Sequence, residues 1–346
     1  MTLSWAHDAI ARIDADFNRS ADTHLIKLPL DAFPGIDIYL KDESIHPSGS
    51  LKHRLARSLF LYAICNGWIT QSTPIVEASS GSTAISEAYF AKLLDVPFHT
   101  VIPASTAYEK VCKIRFLGGE CHLTQQADIY SAASKLAKEL GGHYMDQFTF
   151  AERATDWRGN NNIAESLFRQ MSLEQHPEPT WVVMGAGTGG SSATIGRFIR
   201  YQKLFTRLCV VDPENSVYYD YFNSGDASIT TDARSRIEGI GRPRVEPSFV
   251  RTVIDRMIKV PDGASIATMR MLERSLDRRC GASTGTNLWA VLKLAQEMRD
   301  SGQKGSIVTL ICDGGERYSG TYYDDTWLEK EGIDPAPFAD QLDCIL

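Results

Sequence analysis

The chain has 346 residues, 43% of them hydrophobic and 23% charged, a balance typical of globular proteins and a length sufficient for one large or two closely packed domains. Its formal net charge is −7 and its basic residues form no sizeable cluster, which argues against a nucleic-acid partner. Because the opening residues lack the features of a secretion signal and no stretch approaches the ~20 apolar residues of a membrane helix, we expect a cytoplasmic protein with no membrane partner.

Short apolar runs alternate with amphipathic segments along the chain. Strands are predicted at 36–42, 74–79, 97–103, 120–125, 143–148, 180–186, 207–212 and 306–312. Helices are predicted at about 51–67, 82–94, 107–117, 127–140, 160–173, 190–204, 264–280 and 286–301. Strands that alternate with helices indicate an α/β fold with parallel sheets covered on both faces, in which the strands form one sheet or two.

The segment before the first predicted helix, residues 46–54, reads HPSGSLKHR. Pro47 and Gly49 interrupt regular structure and Ser50 can cap the helix, so Lys52 falls in the first turn. A cation is mildly unfavourable there, because the exposed amides of a helix start carry partial positive charge. Taken alone, the segment is an ordinary helix start, and a functional role for Lys52 depends on the rest of the chain.

Four segments rich in small residues follow predicted strands or open predicted helices, where parallel sheets bind ligands. Residues 79–84, SSGSTA, offer hydroxyls and first-turn amides for a carboxylate or phosphate, although a simple serine cap is an equal alternative. Residues 185–191, GAGTGGS, allow backbone amides to surround an anion. The third and fourth are GASTGT at 281–286 and DGGERY at 313–318.

The second of these segments has a competing interpretation. Gly185, Gly187 and Gly190 fit GxGxxG, and Asp212 ends the next strand, as in dinucleotide-binding folds, so an NAD-dependent oxidoreductase is an alternative. A nicotinamide enzyme does not need the other small-residue loops together with a Ser-Gly-Ser-x-Lys turn. A phosphorylated ring cofactor attached covalently to a lysine would use them all, and this description fits pyridoxal 5′-phosphate.

An ordered set of motifs strengthens this interpretation. The chain contains KDESIHPSGSLKHR, EASSGSTAISEA, DQF, GAGTGGSSATIGRF, RIEGIGRP, GASTGTN and CDGGERY. In order and spacing it resembles the cysteine synthase and cystathionine β-synthase family of fold-type II pyridoxal-phosphate enzymes, over about residues 20 to 325. The resemblance implies a tryptophan synthase β-like fold of two intimately packed domains, each with a twisted, mainly parallel sheet covered by helices. The implied division is a large cofactor-binding domain (1–45 plus 150–325), a smaller mobile substrate-side domain (46–149) and a C-terminal tail (326–346).

The resemblance also implies roles for individual residues. Lys52 is the expected covalent anchor of the cofactor and general base. The expected cofactor-binding residues are Lys52, Ser82, Gly187, Thr188, Gly189, Gly190, Ser191 and Ser283, with Ser283 at the pyridine nitrogen. The expected substrate-binding residues are Ser79, Ser80, Thr83, Gln147 and Gly239, with Ile240 and Gly241 in the same loop as Gly239.

These roles have a physical basis. Lys52 must be neutral to act as a nucleophile or base, so we expect a desolvated or electropositive environment around it. A serine at the ring nitrogen, unlike an aspartate, does not enforce a charged pyridinium, and the resulting weaker electron sink favours β-elimination or β-replacement over transamination.

Three features depart from the cysteine synthases. Ser82 stands where they usually have asparagine, and the run TFAERATDWRGNNNIAES at 149–166 replaces a different segment. Arg242 and Arg244 lie beside the expected substrate loop, either as ligand contacts or as surface or subunit charges. For Trp157 and residues 160–162 a role in packing or capping is favoured. The motifs SSGSTA and GIGRPRVEP are similar to those of bacterial L-cysteine desulfhydrases of this fold.

The expected function is therefore pyridoxal-phosphate-dependent β-elimination on L-cysteine, giving hydrogen sulfide, pyruvate and ammonia through an aminoacrylate intermediate. The alternative is a cysteine synthase that combines O-acetylserine with sulfide. The family implies a homodimer acting on a small amino acid. The seven scattered cysteines contain no CxxC pair, and the eight histidines no HxH or HExxH, so neither a disulfide framework nor a metal site is expected.

Overall fold

The chain folds into two units, each organised around its own sheet. The computed structural model describes residues 3–19, 22–125 and 128–345. The smaller unit comprises the described residues up to Asp22 together with His46–Thr155, and the larger unit comprises Thr23–Ile45 and the described residues from Asp156 onward.

The strands, in chain order, are β1 (His24–Leu28), β2 (Ile36–Asp42), β3 (Ile75–Glu77), β4 (Phe98–Pro103), β5 (Glu120–Thr124), β6 (His143–Tyr144), β7 (Trp181–Gly185), β8 (Arg207–Pro213), β9 (Arg256–Val260) and β10 (Gly305–Ile311). The helices are α1 (Leu3–Asn18), α2 (Lys52–Cys65), α3 (Ser82–Leu94), α4 (Tyr108–Phe116), α5 (Ile129–Glu139), α6 (Gln147–Ala154), α7 (Ile163–Met171), α8 (Gly190–Gln202), α9 (Tyr218–Ser224), α10 (Asp262–Leu276), α11 (Ala282–Asp300), α12 (Asp325–Glu331) and α13 (Ala336–Ile345). Among the described residues, no helix is long and apolar enough to cross a membrane.

The smaller unit contains a four-stranded parallel sheet in the order β5-β4-β3-β6. Its strands alternate between the two faces, so Ile75 packs with α1, α2 and α3 while the next residue, Val76, packs against α5 on the other side. Helices therefore cover both faces of the sheet at β3, as the α/β pattern predicts.

The larger unit contains a six-stranded sheet in the order β1-β2-β10-β7-β8-β9, in which β1 is antiparallel to β2 and all other pairs are parallel. The strand β10 lies between β2 and β7, and all seven of its residues are buried. A strand enclosed on both edges and both faces favours apolar residues, as in the run GSIVTLI. The hydroxyls of its two polar residues, Ser306 and Thr309, donate to backbone carbonyl oxygens at 2.8 Å. Helices α10 and α11 supply many of the buried apolar residues in the core of this unit, among them Trp289.

The predicted class is confirmed, and the strand at 36–42 has the predicted bounds. The strand predicted at 143–148 is wrong beyond its first residues: β6 ends at Tyr144 and helix α6 begins at Gln147. Asp146 causes this change, because it takes a left-handed φ of 47° and its side chain accepts the Thr149 N–H. The helix predicted at 127–140 begins at Ile129, and position 127 lies outside the described residues.

The division into units differs from the expected one at both ends of the chain. Helix α1, expected in the large domain, packs through Ala9 and Ile13 in the core of the smaller unit. The C-terminal segment, expected to be a tail packed on the body or on a neighbouring subunit, belongs to the larger unit, because α13 packs against α10 and buries Leu342. These apolar contacts come from helices whose partners are distant in sequence, so local patterns do not reveal them.

Candidate active site

Lys52 is the first residue of α2 and is half-buried. The turn before it requires glycine at position 49, where φ is +80°. The side-chain oxygen of Ser50 accepts the backbone N–H of Lys52 at 3.3 Å. The sequence therefore produces the lysine at a defined place, immediately after a tight turn and at the start of a helix.

This turn is tied to the helix that follows the serine-rich loop. The hydroxyl of Ser48 lies 2.8 Å from that of Ser86 on α3 and 3.1 Å from Nδ1 of His53 on α2. All three side chains are buried. The smaller unit thus holds the Lys52 turn against α3 through a polar network that the sequence pattern does not show.

The serine-rich loop runs from the end of β3 to the start of α3. Its backbone is held by the Thr100 hydroxyl, which donates to the Ser79 carbonyl oxygen at 2.6 Å. The buried Thr83 hydroxyl donates to Oε1 of Gln147 at 2.7 Å, so two predicted substrate-binding residues are in direct contact. Ser79, Ser80 and Ser82 are half-buried, and no side chain among the described residues caps α3. The loop therefore presents hydroxyls and helix-start amides, which suits a carboxylate ligand.

Two buried acids support this loop, and the sequence analysis missed them. Glu77, at the end of β3, accepts the Ala78 N–H at 2.6 Å and the Gln147 N–H at 3.1 Å. Glu87, on α3, is equally buried, and no described hydrogen bond reaches either of its carboxyl oxygens. Burial raises the pKa of Glu77 to about 7 and, together with the neighbouring Glu77, raises the pKa of Glu87 well above its usual value. Burial therefore favours the protonated form of this pair. Its only sequence signal is an acid within the apolar run PIVEAS.

The larger unit contains the glycine loop between β7 and α8. Gly189 has a φ of +88°, and a Cβ there would lie 2.6 Å from the Cα of Phe249. A Cβ on Gly187 would come closer than 3.0 Å to the carbonyl oxygen of Gly239. The Tyr218 hydroxyl donates to the Gly187 carbonyl oxygen at 2.7 Å and orients that peptide. Side chains are thus excluded at both positions for steric reasons.

A phosphate group fits this loop. The N-cap residue of α8, Gly189, has no side chain to cap the helix, although the Thr188 hydroxyl accepts the Gly190 N–H at 3.3 Å. A helix start of this kind, with small residues around it, suits an anion. The loop also joins the predicted 239–241 loop directly, since the Gly241 N–H donates to the Ala186 carbonyl oxygen at 2.9 Å. Both loops stand beyond the carboxyl end of β7, where ligands of parallel sheets bind.

Ser283 is the second residue of α11 and is buried. The loop before it packs against the segment that follows β10: the Cys312 N–H donates to the Thr284 hydroxyl at 3.2 Å, and a Cβ on Gly281 would collide with Asp313. Asp313 is neutralised by Arg317 and accepts the Tyr318 hydroxyl at 2.8 Å. Since β10 and β7 are parallel neighbours, the Ser283 loop and the glycine loop follow the same edge of the sheet.

Asp212 does not support the dinucleotide interpretation. Its side chain is fully buried at the end of β8, and Oδ2 accepts the Tyr219 N–H at 2.8 Å at the start of α9. Burial raises its pKa to about 6. A buried acid that already bonds a helix start is not placed to bind a ribose hydroxyl.

The two arginines beside the 239–241 loop both contact an acid of their own segment. Arg242 donates to Oε1 of Glu246 through Nε and Nη2 at 3.0 and 2.8 Å, and Arg244 reaches the same oxygen at 3.4 Å. Only 1% of Glu246 is exposed, so this carboxylate requires a cation. The arginines therefore balance a buried charge within the larger unit.

Residues 157–162 have the packing and capping roles that the sequence favoured. Trp157 packs edge-to-face with Tyr201, with ring centroids 5.4 Å apart. The Asn162 side chain caps α7 by accepting the N–H groups of Ala164 and Glu165.

Comparisons with known proteins place this geometry in a family. The model of the family described as pyridoxal-phosphate dependent enzyme matches residues 18–313. L-cysteine desulfhydrase Cds1 of Mycobacterium tuberculosis (strain H37Ra) is 58% identical over 341 residues, which cover 97% of this chain and 93% of the relative. A cysteine synthase of Aquifex aeolicus (strain VF5) is 29% identical over 294 residues, covering 84% of this chain and 85% of the relative. The crystal structure of O-ureido-L-serine synthase superposes with a TM-score of 0.75 at 25% identity, covering 89% of this chain and 96% of that one.

Proposed function

The chain belongs to the family of pyridoxal-phosphate-dependent enzymes, and from this premise we propose that it is a lyase that releases hydrogen sulfide, pyruvate and ammonia from L-cysteine. The observation that carries the proposal is the 58% identity, over 97% of the chain, to an L-cysteine desulfhydrase. A cysteine synthase activity, using O-acetylserine and sulfide, is the second candidate, since a cysteine synthase is also similar along most of its length.

We propose the same residues for the site as those implied by the sequence. Lys52 is the proposed covalent anchor. The proposed phosphate ligands are Gly187, Thr188, Gly189, Gly190 and Ser191, the proposed ring contacts are Ser82 and Ser283, and the proposed substrate contacts are Ser79, Ser80, Thr83, Gln147 and Gly239. When bound, pyridoxal phosphate supplies an electron sink that stabilises negative charge at the substrate's Cα.

The chain's own residues supply proton transfer and orientation. Lys52, once displaced from the cofactor, is the proposed base that takes the proton from Cα through its Nζ atom. The amides and hydroxyls of residues 79–83 would bind the substrate's carboxylate, and the Thr83–Gln147 hydrogen bond keeps two of these side chains in position before substrate arrives. The negative charge that develops at Cα then expels the sulfur from Cβ as the Cβ–S bond breaks.

The proposal extends to the protein's setting. All seven cysteines are free thiols, and three of them are exposed, which suits the reducing cytoplasm that we propose as its location. A homodimer is also proposed, as the family resemblance implies. Light scattering of the protein as it elutes from a size-exclusion column measures the mass of the oligomer directly.

The test of the activity uses the purified holoenzyme. Incubated with L-cysteine alone, it should release sulfide and pyruvate in equal amounts, and faster than it makes cysteine from O-acetylserine and sulfide. Lys52→Ala should abolish release and the visible absorption of bound cofactor, whereas Lys138→Ala, at an exposed lysine on α5, should leave both unchanged. Rapid cysteine formation without cysteine breakdown would instead establish the synthase activity.

A further inference from the structure

Two histidines and a glutamate converge on one face of the smaller sheet. His99 lies on β4, and Glu120 and His122 lie on the neighbouring strand β5. The strands are parallel, with His99 directly opposite Glu120, and Glu120 and His122 share a face because they are two residues apart. None of these residues has a part in the proposed reaction.

Their ligand atoms are close together. Nδ1 of His99 lies 3.1 Å from Nε2 of His122 and 3.4 Å from Oε2 of Glu120. Nε2 of His122 lies 3.6 Å from Oε1 of Glu120. The three side chains differ in their exposed fraction, which is 15% for His99, 32% for His122 and 65% for Glu120.

The two imidazole nitrogens, and the carboxylate oxygen nearest to each of them, have separations close to those of ligands around a tetrahedral ion. At metal–ligand distances of about 2.0–2.1 Å, the tetrahedral angle places ligand atoms about 3.3–3.4 Å apart. Two imidazoles and one carboxylate are a ligand set suited to zinc and to neighbouring divalent transition ions, and the exposed side of the cluster leaves a position for water.

We propose that His99, Glu120 and His122 bind one divalent transition-metal ion of the zinc type. The ion would link β5, which is the edge strand of its sheet, to the interior strand β4. His99 and Glu120 lie near the amino ends of their strands, whereas the serine-rich loop follows the carboxyl end of β3. The proposed metal site and that loop therefore lie at opposite ends of the strands of one sheet. The ion is therefore a structural or regulatory ligand, separate from the proposed chemistry.

No metal site is predicted from the sequence, because the three ligands are not spaced within one segment. Here the first ligand is separated from the others by helix α4, and only the register of β4 with β5 brings them together. The one local signal was the alternation of Glu120 and His122 in ECH, which is too short to be specific.

The test is calorimetric titration of Zn²⁺ into the holoenzyme after treatment with a chelator. The wild type should bind one more ion per chain than His122→Asn or Glu120→Gln, and its melting temperature should rise with Zn²⁺ while theirs do not. Loss of one ligand should weaken binding at this site at least ~10-fold, since even partners of ligands have effects of that size. Both positions are accessible enough to be changed without disturbing the core.

His24→Asn is the matched control, because His24 is an exposed histidine on the edge strand of the other sheet. It should retain the wild-type stoichiometry and the zinc-dependent rise in melting temperature. The exposed thiols Cys65, Cys112 and Cys344 also attract Zn²⁺, but they are common to all the chains compared. Equal stoichiometry and affinity in the wild type and the two ligand variants, or no binding by the wild type, would overturn the proposal.

Discussion

The two buried acids beneath the serine-rich loop should respond very differently to the same substitution. Glu77→Gln should leave the protein less stable than Glu87→Gln does. The reason is that Glu77 accepts hydrogen bonds from two backbone N–H groups, of Ala78 and Gln147, on its two carboxyl oxygens. A glutamine has one acceptor oxygen, so its NH₂ group must face one of these buried donors.

The magnitudes follow from these contacts. A buried donor left without an acceptor destabilises the native state by about 1–3 kcal/mol, so Glu77→Gln should be less stable than Glu87→Gln by about that amount. Burial and the nearby Glu77 raise the pKa of Glu87 well above its usual value, which favours its neutral form. A glutamine reproduces the shape of the neutral acid and does not ionise in the unfolded chain, so Glu87→Gln should leave the free energy of unfolding at pH 7 unchanged or raise it.

Urea unfolding of the two variants at pH 7, followed by circular dichroism, measures this difference. The KM for L-cysteine should also rise in Glu77→Gln, because the Gln147 backbone loses an anchor, while Glu87→Gln serves as the matched control with an unchanged KM. Equal losses of stability, or a larger loss in Glu87→Gln, would refute the assignment of the proton to Glu87 and of the two acceptor bonds to Glu77.

Three further predictions concern pH, the glycine loop and a helix cap. Because the pKa of Glu77 is raised from 4.5 to about 7 on folding, its protonation favours the native state, so this contribution is fully present below pH 4.5 and is lost as pH rises through about 7. The loss is on the order of 3 kcal/mol. The pKa of Glu87 is raised as well, so in Glu87→Gln the free energy of unfolding should fall less steeply with pH across this range. Gly187→Ala should weaken cofactor binding, measured by absorbance titration, because the added Cβ comes within 3.0 Å of a carbonyl oxygen of the neighbouring loop; unchanged affinity would contradict the close packing. Asn162→Ala should lower stability to heat by about 0.5–2 kcal/mol through loss of the α7 cap, with Asn162→Asp retaining most of it.

The sequence predicted most strands because buried parallel strands are short apolar runs. It missed β1 and β9, whose sequences HLIKL and RMIKV mix charged and apolar residues at the edges of a sheet. Edge strands lose the continuous apolar pattern because one side is not enclosed by the sheet. It also extended β6 into α6, since the left-handed backbone of Asp146 cannot be read from HYMDQF.

The sequence likewise predicted some features of the site and missed others. The small-residue loops were found because runs of glycine and serine after a strand bury little apolar surface and leave backbone amides open to a ligand. Two of the predicted residues, Thr83 and Gln147, proved to be in contact. The acid pair of β3 and α3 was not found, because a carboxyl group among apolar residues has no distinctive spacing until strand and helix are packed together. The partner of the two arginines, Glu246, could have been suspected from the charge alternation in RPRVE.

The larger sheet is built from both ends of the chain, which has a consequence for the order of folding. Strand β2 pairs on one side with β1 and on the other with β10, which is synthesised close to the end of the chain. The smaller unit has all its strands once residue 144 has been made, whereas β2 keeps one unpaired edge until residue 311. An unpaired edge is a site of aggregation, so the nascent chain carries this hazard through most of its synthesis. Chains stalled on the ribosome before residue 305 should therefore remain sensitive to proteases within residues 23–45, even when the smaller unit already resists them.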